Sequence, residues 1–148
     1  MLISVTKESD ELGQLAADLR VAAFRLTRRL RVESHLDDVT DSQLTVLLHL
    51  NRIGTSTPGQ LAEFERVSAP SMNRTVNALV ATGCVRRVDD PEDGRRVFVE
   101  LTKRGTELAI TARKRRNAWL KAELRPLSKK DRAALAHAIE IIDAMVQR

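Results

Sequence analysis

TPGQLAEFERVSAPSMNRTVNALVATGCV, residues 57–85, carries two helix starts and one helix stop in close succession. Thr57-Pro58-Gly59-Gln60 supplies a hydroxyl cap, a proline where a missing N–H costs nothing, and a Gln able to bond back to the cap. The short helix this opens, LAEFE, is expected to end near Arg66. Ser68 then caps a second helix, with Ala69 and Pro70 in its first turn and Met72, Val76 and Leu79 on one face. Gly83 suits the left-handed position that follows a helix end. Two short helices across a three- or four-residue turn form a helix-turn-helix.

Beyond Gly83 the period of the pattern changes from 3.6 to 2. Residues 84–88, CVRRV, and 97–101, VFVEL, alternate or run β-branched and predict two strands. The charged, turn-rich stretch from Asp89 to Arg96 joins them, so the helix-turn-helix is followed by a wing. Thr102 can cap a further helix running through Leu108, Ile110, Trp119 and Leu120 to Pro126. Ser128 with Asp131 opens a last helix, on which Leu135, Ile139, Ile142 and Val146 form a heptad-like stripe beside Met145. Upstream, Thr40 and Gln43 make a capping box for a helix carrying Leu44, Leu47, Leu48 and Leu50, stopped by Gly54. Before it, Leu12, Leu15, Leu19, Ala22, Leu26 and Leu30 mark a long amphipathic helix from about Asp10 to Ser34. Stripes of this kind are usually core, but here they stand at both chain ends around a compact middle, which points to pairing between subunits. The expected fold is mainly α with a small β-wing: a winged helix-turn-helix flanked by N- and C-terminal dimerisation helices. Its parts are residues 1–36, 37–104 and 105–148, within one compact fold.

The chain's 148 residues suit one domain, and 43 % hydrophobic with 30 % charged residues is globular composition. With three Phe, one Trp and no Tyr, the core must be aliphatic. The single cysteine, Cys84, cannot form an internal bridge, and no zinc or redox spacing is present. Apolar runs stay at a few residues, as in Val46-Leu47-Leu48, and MLISVTKESD lacks the order of a signal peptide, so a cytoplasmic protein without membrane contact is expected. The net charge of +5 permits nucleic-acid binding without proving it. Residues 1–51 hold six basic and eight acidic side chains, residues 52–104 nine and seven, and residues 105–148 ten and five. No segment is a pure basic tail, so a nucleic-acid site would have to be shaped by folded elements. There is no P-loop, dinucleotide fingerprint, paired Cys/His set or nucleophile elbow, which argues against an enzyme, a cofactor or a structural metal.

This order of elements resembles the MarR family of bacterial transcriptional regulators over nearly the whole chain. The likeness rests on residues 57–85 and on DPEDGRRVFVELTKRG, residues 90–105. The second stretch is similar to the family's wing signature, Asp-x-Arg with Leu-Thr after five intervening residues, here Asp93, Arg95, Leu101 and Thr102. The resemblance implies a homodimer with a winged helix on each protomer, binding pseudo-palindromic double-stranded DNA, commonly as a repressor. It also implies release by a small aromatic or phenolic compound, held between the helical dimer region and the winged helix, or by oxidation of a cysteine. The wing departs from the pattern at Gly94, where many relatives carry Arg or another side chain, which would loosen the loop tip.

With Met72, Val76 and Leu79 inward, the ~100° turn per residue points Pro70, Arg74 and Asn77 outward, flanked by Ser71 and Asn73. Arg74 suits a bidentate bond to guanine, and Asn73 or Asn77 suits adenine. Ser68 and Ser71, with the free amides of the helix start, suit phosphate oxygens. Arg95 and Arg96 have the reach and charge for a narrow minor groove. Following the family, Asp93 would hold Arg95 by an ion pair, while Glu92 is read as solvated surface. The run Arg113–Arg116 cannot share one helical face and is read as solvated surface too. Cys84 should be buried and inert. His137 and Glu140 share a face but make only two ligands. The rival reading is a winged helix serving as a protein-interaction module; paired arginines at the wing tip are what such a module has no need of.

Overall fold

A computed structural model describes residues 2–147, with side chains from Asp10 onward. The elements run α1 (Leu2–Glu33), α2 (Asp41–Ile53), β1 (Thr55–Ser56), α3 (Pro58–Glu65), α4 (Ala69–Ala81), β2 (Val85–Asp89), β3 (Val97–Leu101), α5 (Lys103–Leu124) and α6 (Lys129–Val146). Mainly helical with a small antiparallel sheet, this is the winged helix-turn-helix the sequence predicts. Two boundaries differ. The first helix starts at Leu2 instead of near Asp10, because no Gly or Pro stands before Gly13 to stop it. The first wing strand is shifted one residue onward, since Cys84 closes the end of α4.

Hydroxyl caps set the helix starts. Thr40, Thr57, Ser68, Thr102 and Ser128 each accept the N–H three residues on, and Gln43 and Gln60 complete reciprocal capping boxes. Each such cap contributes about 1 kcal/mol. The helix ends are equally defined. After α4, the Gly83 N–H donates to the Val80 carbonyl and the Cys84 N–H to the Leu79 carbonyl, a Schellman closure with Gly83 at φ +71°. After α3 the same pair of bonds runs from Arg66 to Glu63 and from Val67 to Ala62. There Arg66, at φ 52°, occupies the position glycine usually takes.

The sheet order is β1-β3-β2, all antiparallel, with Arg87 opposite Val99 and Ser56 also opposite Val99. The sequence pattern did not reveal β1, because two residues are too short for any alternation. Beyond Val85 the β2 strand is exposed, so the wing projects away from the body.

The core lies among α2, α3, α4, the root of the wing and α5. It is aliphatic, as expected: Leu47, Leu50, Leu61, Val76, Leu79 and Val99 are fully buried. Gly105, Ala109 and Ala112 form the buried face of α5, Gly105 lying on the Cys84 carbonyl at the wing root, and α5 packs against α2. Toward its end α1 meets α5, where the Arg29 guanidinium sits 5.5 Å from the Trp119 ring centre. The basic run departs from the sequence reading. Arg113 and Lys114 are exposed, but Arg115 donates to the His35 carbonyl at 2.7 Å and Arg116 is half-buried. Burial and the neighbouring Arg31 hold the Arg116 pKa below its ordinary value. His49, its ring 3.7 Å from that of Phe64, joins α2 to α3, and burial lowers its pKa with help from Arg52.

The terminal helices end differently from the rest. Among the described residues α6 buries none of its side chains. Ile139 is 57 % exposed and Val146 74 %, and on α1 Leu12 is 68 % exposed and Leu15 64 %. Both terminal helices thus carry apolar side chains on their exposed faces.

Candidate nucleic-acid interface

The face of α4 follows from its buried side. Met72, Val76 and Leu79 pack inward, which leaves Pro70, Asn73, Arg74 and Asn77 exposed. Among the described residues Arg74 makes no hydrogen bond or ion pair, so its guanidinium is held in water with all its donors free. Ser68 spends an acceptor on the Ser71 N–H at 3.3 Å but keeps its hydroxyl proton for an outside acceptor. Ser71 is only half-exposed and lines a small cleft with Ser42, Glu65 and Thr75, so it faces the neighbouring helices more than the other candidates do. Burial in this region raises the Glu65 pKa, against a smaller opposing effect from Arg31.

The wing tip is a tied loop. Asp90 Oδ1 accepts the Glu92 N–H at 2.9 Å, and Asp93 Oδ1 accepts the Arg95 N–H at 3.1 Å. The Arg96 N–H donates to the Asp93 carbonyl at 2.9 Å, and the Asp90 N–H to the Arg96 carbonyl at 3.0 Å. The expected ion pair between Asp93 and the Arg95 side chain is therefore replaced by a bond to the Arg95 main chain. A carboxylate two residues before an amide closes an Asx turn more readily than it reaches a long, solvated guanidinium. The Arg95 guanidinium is left exposed and without a partner among the described residues, while that of Arg96 lies 5.7 Å from the centre of the Phe98 ring. Both arginines line, with Thr57, Pro58 and Gln60, a groove of about 400 Å³ between the wing and the start of α3.

Gly94 does not loosen this tip through a special backbone shape. Its φ is outside the left-handed region that Gly54 and Gly83 occupy, and a Cβ there would meet nothing within 4 Å. Gly94→Ala should therefore stabilise the protein by about 0.4–1 kcal/mol through the unfolded chain. The check is a thermal melt, and a lower midpoint than the parent's would show that the tip needs glycine's freedom.

One residue of this surface escaped the sequence reading. Arg87, on β2, donates from Nη2 to Asn77 Oδ1 at 2.8 Å and so ties the wing root to α4. The signal was present in the alternation: Arg87 lies two residues after buried Val85 and so shares its face. Arg86 faces the other way and pairs with Glu100 across the strands.

Elsewhere the structure offers less. Cys84 is fully buried, its sulfur 3.3 Å from the Thr82 hydroxyl. His137 and Glu140 form an exposed pair at 3.6 Å, and no cluster of three metal-ligating side chains occurs among the described residues. No described helix is long and apolar enough to cross a membrane.

Comparison with known proteins agrees with this geometry. The family model described as MarR family matches residues 37–96. An HTH-type transcriptional regulator of Mycobacterium tuberculosis is 40 % identical over 137 residues, which span 93 % of this chain and 96 % of that protein. A solved protein of Pseudomonas aeruginosa PA01 superposes with a TM-score of 0.79 at 34 % identity, covering 91 % of this chain and 94 % of its own. The fold is also that of a MarR family protein from Bacillus stearothermophilus, with a TM-score of 0.84 at 20 % identity over 95 % and 98 % of the two chains.

Proposed function

Because this chain belongs to the MarR family and is a DNA-binding transcriptional regulator, not an enzyme, we propose that it works as a homodimer on a pseudo-palindromic operator. In this reading it represses the adjoining genes until a small aromatic or phenolic effector weakens its hold. The observation that carries the reading is the exposed face of the first two turns of α4 beside a cationic wing, each with an arginine side chain that has no partner among the described residues.

Residues 37–104 form the DNA-binding part, and residues 1–36 with 105–148 the dimerising part. The first turn of α4 enters the major groove. Arg74 reads guanine, Asn73 and Asn77 meet neighbouring base edges, and Pro70 packs beside them. Ser68 and Ser71 with the helix-start amides hold phosphates. Arg95 and Arg96 reach the adjacent minor groove, their loop shaped by Asp93. The stripes of α1 and α6 support the dimer, and two α4 helices would then lie ~34 Å apart, one turn of duplex. A concavity of about 710 Å³ between α1 and α2 supports the effector. Phe24 and Val32 give it an apolar wall, while Arg28, Arg31 and His35 supply donors for a phenolate or carboxylate.

The test is selection of bound duplexes from a random pool, with Arg74→Ala as control, followed by a salt titration of affinity. A pseudo-palindrome lost in the control, with a steep negative log–log slope, is the expected result. Arg95→Ala should weaken operator binding by about 1–3 kcal/mol and leave the dimer intact. No enriched sequence at low salt without ligand would shift the function to protein interaction.

A further inference from the structure

The contact between wing root and α4 limits what Asn77 can recognise. Reading adenine with an Asn amide requires both ends of that amide: Oδ1 accepts from the base amino group and Nδ2 donates to the ring nitrogen N7. Arginine carries only donors, so the end of Asn77 facing the Arg87 guanidinium at 2.8 Å has to be Oδ1. The end left for DNA is the Nδ2 amino group. A second lone pair on Oδ1 does not restore adenine readout, because the adenine amino group would have to approach beside a guanidinium that presents donors of its own.

We propose that Arg87 is a specificity-determining positioning residue: by occupying Asn77 Oδ1 it presents Asn77 to the major groove as a donor only. Such a donor suits the keto oxygens O6 of guanine and O4 of thymine. At adenine it reaches N7 alone and leaves the base amino group without its acceptor, so adenine loses the two-bond advantage it otherwise has with Asn. The proposal rests on the DNA-binding reading of α4. Arg87 is exposed and its other donors have no partner among the described residues, so it also adds charge beside the groove.

Duplex selection with the full-length wild type, Arg87→Ala, Asn77→Ala and the double variant, all at one salt concentration, tests it. Wild type should enrich guanine or thymine at one position of each half-site, and Asn77→Ala should lose that preference. Arg87→Ala, freeing Oδ1, should move the same position toward adenine by roughly tenfold relative to wild type. The double variant should match Asn77→Ala at that position. Because Arg87 is exposed, the variants should melt with the parent. A uniform loss of affinity in Arg87→Ala, with every base preference kept, would reduce Arg87 to a phosphate contact and overturn the proposal. So would a changed preference at a position Asn77→Ala leaves alone. Failure of the wild type to enrich any sequence is a different outcome: it removes the operator reading itself, and the proposal with it.

Discussion

Gly105→Ala should destabilise the protein by about 3 kcal/mol or more, at the upper end of overpacking costs. A Cβ built on Gly105 would stand 1.9 Å from the Cys84 carbonyl oxygen and 2.9 Å from its carbon. Both are main-chain atoms at the root of the wing, so no side chain can swing aside. That same carbonyl accepts the Thr102 N–H and the Thr102 hydroxyl, each at 3.1 Å, while the hydroxyl also donates to the Gly83 carbonyl at 2.6 Å. Making room for one methyl group thus means moving the start of α5 off the end of α4 and breaking this set together. At 2–4 °C per kcal/mol for a chain of this size, the midpoint should fall by about 6–12 °C. Gly59→Ala is the control, because its Cβ would meet only the Thr57 hydroxyl at 3.9 Å. In a helix that change stabilises by roughly 0.5–1 kcal/mol. Equal midpoints for Gly105→Ala and its parent would show that α5 is not seated on the Cys84 carbonyl.

If the protein pairs along α1 and α6 as proposed, Ile139→Glu should leave each protomer folded and separate the two. On the isolated chain Ile139 is 57 % exposed, and a carboxylate in its place stays in water. Surface changes of this kind alter fold stability by about ±0.5 kcal/mol. In a homodimer joined along α1 and α6 the same residue is covered, and by two-fold symmetry the change enters twice. Losing the apolar contact and desolvating the charge costs about 3 kcal/mol per copy, so the dissociation constant should rise on the order of 10⁴-fold. Sedimentation velocity should report a monomer whose circular dichroism matches the parent's, and operator affinity should fall because half-sites are no longer joined. A dimer of unchanged stability would move the interface away from α6.

The sequence was legible where a local rule carried the answer. Hydroxyl caps at Thr40, Thr57, Ser68, Thr102 and Ser128 fixed five helix starts, since each cap satisfies amides within its own turn. The 3.6-residue spacing of Met72, Val76 and Leu79 assigned the two faces of α4, and with them Arg74 and Asn77 to the exposed side. Gly83 announced the stop of that helix because only a residue tolerant of positive φ fits there at no cost. The family resemblance followed from the order of these signals.

What required the tertiary structure was every relation between distant residues. Asn77 and Arg87 sit on a helix and a strand, and only the packing of wing on helix brings an acceptor to a donor. Arg115 and Arg116 read as surface because what they meet is distant along the chain, the His35 carbonyl in the loop after α1 for Arg115 and the packing around α5 for Arg116. The strand β1 was silent because a two-residue strand exists only through its pairing with β3. The family resemblance implies a charge pair between Asp93 and the Arg95 side chain, while in the structure Asp93 Oδ1 accepts the nearer Arg95 N–H. The sequence by itself determined the elements, their faces and the class of molecule, because caps, periodicity and turn chemistry are local. The tertiary structure alone decided which polar groups are already committed to partners within the fold, because a hydrogen bond depends on distance in space and not on distance along the chain.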